Sequence, residues 1–168
     1  MHNHMVVSHP STVTTRPGFY MALLCYSIAT VAGAMLIVAV LFTINELFDL
    51  GFIPQDHYDN FSLNRWDTLG YIVIAPIIET YLLALIIKLG LKAGLTPLKV
   101  GIANTLLWAI LHSLINPTSF LGSLWNFSVF SYGYLHWLSD SFKQAYLAAL
   151  VPHVVLNSTI IILYFSFG

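Results

Sequence analysis

One carboxylate, Glu79, lies inside an otherwise apolar run, Pro76-Ile77-Ile78-Glu79-Thr80-Tyr81-Leu82, and two histidines and an amide, His112, His153 and Asn157, lie in equally apolar surroundings further along the chain. A carboxylate and imidazoles gathered where water is scarce are the material of general acid–base chemistry. The carboxylate takes a proton from a nucleophile, an imidazole relays it, and N–H donors stabilise the negative charge that develops. One glutamate and two histidines would equally serve as zinc ligands with a position left open. His153 and Asn157 are four residues apart, so on a helix they stack on one face, and Trp108 and His112 stand in the same relation.

Each residue also has a plainer reading. A histidine on an apolar helix commonly donates a hydrogen bond to a neighbouring helix, and an asparagine is ordinary interhelical glue. Four such residues together are harder to explain by packing. An ionised group at the centre of a bilayer costs about 2.5–3.5 kcal/mol even on the gentlest scale, so such groups face the interior and pair with one another. Depth supports a shared site. At about 1.5 Å per residue, Glu79 lies about 13 Å from Lys88, His112 about 20 Å from Lys99, and His153 about 15 Å from Lys143.

The elements that must carry these residues follow from composition. Of 168 residues, 58% are hydrophobic and 8% charged, about a third of the charge a soluble domain carries. Long continuous apolar runs predict an all-α, polytopic transmembrane helix bundle, since in lipid only helices and closed barrels satisfy every backbone group, and barrels alternate. Five spans are expected, at 19–44, 69–89, 98–115, 119–138 and 144–165. They form a single domain (19–168) behind a polar tail (1–18). His2, His4 and His9 in that tail read as a disordered segment or a metal-capturing one. An acidic connector, 45–67, is expected to carry a short interfacial helix near Asn45–Phe52, and Asn116-Pro117 is a helix stop.

With five spans, Arg16, Lys88, Lys92, Lys99 and Lys143 fall on one side and Arg65 alone on the other, which puts the N-terminus in the cytoplasm. The expected setting is a multi-pass protein of the plasma membrane. The single cysteine, Cys25, excludes an intrachain disulfide framework and reads as helix packing. No Lys/Arg cluster offers a grip on nucleic acid.

The order and spacing of three motifs resemble the CPBP family, the CAAX proteases and bacteriocin-processing enzymes also called Abi. That family carries EExxxR, FxxxH and a late HxxxN or HxxxD. Glu79 begins the first motif, Trp108-Ala109-Ile110-Leu111-His112 is similar to the second with tryptophan for phenylalanine, and His153-Val154-Val155-Leu156-Asn157 fits the third. The resemblance spans about residues 69–160. Two positions of the first motif differ: Thr80 replaces the second glutamate and Ala84 the arginine. Both members of a charge pair are thus absent together, which leaves no orphan charge.

The resemblance implies a glutamic-type intramembrane peptidase acting on a membrane-inserted or membrane-adjacent peptide. Glu79 would activate water, His112 would hold that water and carry protons, and His153 and Asn157 would donate to the oxyanion. Thr80 and Trp108 would support them, and no cofactor would be needed. Two rivals stand beside it. One is a catalytically silent relative serving as a membrane adaptor or bacteriocin-immunity protein. The other is a transport or proton-relay subunit, for which internal repeats would be expected and none is visible.

Overall fold

The computed structural model describes residues 18–51 and 64–167, with no side-chain description for the last of these. The His2, His4 and His9 cluster therefore lies outside the described residues. Within them the chain is an all-α bundle of five helices: α1 (Phe19–Phe48), α2 (Arg65–Lys92), α3 (Pro97–Ile115), α4 (Phe120–Trp137) and α5 (Phe142–Phe167). Four of them, all but α4, are long and apolar enough to cross a membrane.

Local chemistry sets most of the boundaries. α2 opens on a capping box in which the Asn64 side chain accepts from the Trp66 and Asp67 amides while Asp67 reaches back to the Asn64 N–H. It closes at Gly94, whose φ of 87° is one an L side chain rarely adopts. There Gly94 N–H donates to the Leu91 carbonyl and Leu95 N–H to that of Gly90, satisfying two carbonyls the helix end would leave bare. Thr96 then caps α3, with Pro97 at its first position. Asn116 ends α3 and caps the short 3₁₀ turn Pro117–Ser119 that leads into α4.

Where the sequence suggests a separate interfacial helix at Asn45–Phe52, α1 simply runs on to Phe48 and stops at Asp49 in a left-handed conformation. Asn45 is buried against the bundle, so its polarity marks a packing position rather than a change of element. Residues 52–63 of that connector are outside the described residues, and its last residues, 64–67, open α2.

α3, α4 and α5 follow one another through short turns as antiparallel neighbours. α1 packs on α4 and α5, and α2 on α3 and α5. The interior between them is small and aromatic: Ala145, Ala148 and Ala149 on α5 meet Phe127, Phe130 and Tyr134 on α4. Small residues let helix backbones close on one another where no hydrophobic drive holds helices together. Gly133 marks the tightest approach, since a Cβ there would stand 2.8 Å from the Ala148 carbonyl oxygen. That oxygen is the one Pro152, four residues on and lacking an N–H, cannot serve. The outer faces carry Leu, Ile, Val and Phe side chains in the open, as on α1 (Leu36, Val38, Val40, Phe42), a surface suited to hydrocarbon rather than water.

Candidate active site

Three helices converge on Glu79. Its carboxylate oxygen Oε2 stands 3.6 Å from Nε2 of His153 on α5 and 3.8 Å from Nε2 of His112 on α3. That oxygen is buried and has no hydrogen-bond partner. Both separations are just longer than a direct hydrogen bond. The site is graded in access: the side chains of His112 and Glu79 are 33% and 22% exposed, while that of His153 is 6% exposed. Its approach therefore lies on the α2–α3 side, with His153 forming the floor.

His112 is held from behind. Its Nδ1 lies 2.9 Å from the Trp108 carbonyl, a group that can only accept. The hydrogen therefore belongs on Nδ1, and in neutral imidazole Nε2 turns a lone pair toward Glu79. His153 lacks such a partner: its Nδ1 is buried with none. An aromatic shell sets its orientation instead, the Phe130 ring stacking on the imidazole at 4.7 Å and the Phe127 ring meeting it edge-on at 5.8 Å. Phe127 also stacks on Trp108 at 4.9 Å, nearly parallel, and touches the His112 ring. A second polar group fixes that part of α4: Thr105 donates to the Phe127 carbonyl, and Asn104 to Ser131.

Asn157 shares the α5 face of His153 but is engaged elsewhere. Its Nδ2 donates to the Tyr71 carbonyl of α2 at 2.8 Å. Thr80 and Ala84 lie on the buried face of α2 with Pro76, Leu83 and Ile87. Both are in a packed interior, where an acid and a base would have to be desolvated. The Thr80 hydroxyl has no hydrogen-bond partner.

Glu79, His112 and His153 are thus brought together. Trp108 supplies both a carbonyl and a stacking ring, and Asn157 and Thr80 lie beside the group rather than facing Glu79. Phe127, Phe130 and Tyr146, whose hydroxyl ties α5 to the Ile77 carbonyl of α2, were not foreseen from the sequence. Their pattern is only that of any aromatic helix, and no signal short of the fold separates them from their neighbours. Among the described residues no group of three or more His, Cys, Asp and Glu is arranged to hold a metal ion. No protein-family model, curated protein or solved structure matches the chain.

Proposed function

We propose that the protein is a multi-pass integral membrane peptidase in which Glu79 activates water against a peptide bond of a membrane-inserted or membrane-adjacent substrate. The observation that carries this reading is the gap between Glu79 Oε2 and two imidazole nitrogens, 3.6 Å and 3.8 Å. With its other nitrogen donating to Trp108, neutral His112 offers Glu79 a lone pair, not a proton. Two acceptors therefore face each other across a short distance, which suits a water molecule giving one hydrogen to each.

The chemistry follows from that arrangement. As the water oxygen bonds to the scissile carbonyl carbon, its proton passes to Glu79 and the carbonyl oxygen takes up the negative charge. The proton then moves to the departing nitrogen as the carbon–nitrogen bond breaks, leaving a carboxyl and an amine. An N–H of neutral His153 would donate to the oxyanion, and losing one such donor typically costs about 10²–10³ in rate. The resemblance to the CPBP family supports the same assignment, and the neutral pair Thr80 and Ala84 takes nothing from the groups that face the water.

The test is cleavage of quenched fluorogenic membrane peptides by purified protein, beside Glu79→Gln and His153→Ala, with and without a chelator. Cleavage by the wild type, lost in both variants and indifferent to chelation, is expected. Loss on chelation would make the site a zinc centre. A folded wild type that cleaves none of the panel, with Glu79→Gln equally stable and equally able to bind a partner, would replace the peptidase by a non-catalytic adaptor.

A further inference from the structure

The start of α2 is not a regular helix. Residues Gly70–Ile74 form a wide turn in which the Ala75 N–H donates to the Gly70 carbonyl, five residues back. This leaves the Tyr71 carbonyl without a helical donor. The amide four residues on, that of Ala75, is already spent on Gly70, and the residue five on is Pro76, which has no N–H. A carbonyl bared inside a membrane bundle has no water to serve it, and Asn157 supplies the missing donor at 2.8 Å. One further bond joins the same two helices: the Tyr146 hydroxyl donates to the Ile77 carbonyl at 3.1 Å. Tyr146, His153 and Asn157 are spaced seven and four residues apart, one face of α5.

We propose that Asn157 is a positioning residue: it caps the carbonyl that Pro76 strips of its donor and so fixes the rotation of α2 that turns Glu79 toward His112 and His153. The wide turn inserts one extra residue into the helix, shifting everything after it by about 100° around the axis at about 3.6 residues per turn. Glu79, three residues beyond Pro76, reaches the imidazoles only with that shift kept. This rests on the peptidase reading for its consequence, though not for the bond itself. It differs from the role the CPBP resemblance implies, since the Nδ2 group that would meet an oxyanion is donating to a backbone carbonyl.

Pro76 provides the test. In Pro76→Ala the new residue brings an N–H five residues after Tyr71, so the carbonyl no longer depends on Asn157. Thermal unfolding in detergent would be measured for the wild type, Asn157→Ala, Pro76→Ala and the double variant. Asn157→Ala is expected to lower the midpoint by several degrees in the native background and by less than half as much beside Pro76→Ala. If Asn157→Ala alone fails to fold, the double variant should recover the folded yield. An equal loss in both backgrounds, or no recovery, overturns the proposal. Peptide cleavage on the same samples separates positioning from catalysis. A positioning residue loses kcat with KM held and regains part of it in the double variant, whereas an oxyanion donor leaves the double variant as slow as Asn157→Ala. Absence of cleavage from the wild type would remove the peptidase reading while the unfolding cycle still decided the capping role.

Discussion

His112 and His153 are held by different means, and the difference has consequences. His112 has a backbone carbonyl behind it, so its ring orientation is a property of α3 itself. His153 has only rings around it, with Phe130 stacked on one side and Phe127 edge-on. Phe130 is almost wholly buried, at 1% exposure, so Phe130→Ala should cost about 3–5 kcal/mol of stability, the usual range for emptying an aromatic core position. Phe130→Leu should cost distinctly less while still freeing the imidazole to tilt. Unfolding in detergent measures the first effect. The second would appear as a loss of peptide cleavage larger than the stability change accounts for. Equal cleavage by Phe130→Leu and wild type would show that the ring only fills space. At this scale Glu79, His112 and His153 were legible in the sequence because polar residues stand out against an apolar background. Phe130 was not, because one phenylalanine in an aromatic-rich helix resembles the next.

The helices themselves were legible from their apolar runs, and their true ends were misjudged by a few residues because caps, not hydropathy, decide where a helix stops. Thus α2 begins at the Asn64 capping box and runs past Lys88 to end at Lys92, the long Lys88 side chain carrying its charge outward from a helix that continues beneath it. The wide turn ahead of Pro76 had no such sign, since a proline marks a disturbed helix without saying which carbonyl is released or what will serve it. Glycines of α4 separate intrinsic helix preference from packing. Gly122 has open space where a Cβ would go, so Gly122→Ala should stabilise the helix by about 0.5–1 kcal/mol. Gly133 has the Ala148 carbonyl 2.8 Å from that position, so Gly133→Ala must push α4 from α5 and should cost about 1–3 kcal/mol. Thermal unfolding of the two variants checks the pair. A shift of the same sign in both would mean that α4 and α5 are not closely apposed at Gly133.

At the scale of the whole molecule, α4 is the helix whose polarity most needs a reason. Its 18 residues would span about 27 Å at 1.5 Å each, short but sufficient for a crossing. It packs against α1, α3 and α5, so much of its surface meets protein rather than lipid, and Ser123, Ser131 and Tyr134 are buried there without meeting hydrocarbon. A helix surrounded in this way need not be as apolar as its neighbours, which is why hydropathy alone undercounts it. If α4 crosses, the α2–α3 turn and the α4–α5 turn share one side. The Lys88 ammonium lying 4.0 Å over the Phe142 ring joins those two ends of the bundle. Lys92, Lys99 and Lys143 lie near the same two turns, so that side should be cytoplasmic. Labelling tests this with single cysteines introduced into a Cys25→Ser background, which removes the only native thiol. In sealed inverted vesicles a membrane-impermeant thiol reagent should reach Leu95→Cys and Ser139→Cys alike and leave Leu50→Cys and Pro117→Cys untouched until detergent is added. Labelling of Leu95→Cys without Ser139→Cys would mean that α4 does not cross, and would put His153 and Asn157 on a helix running opposite to the one the Glu79 site requires.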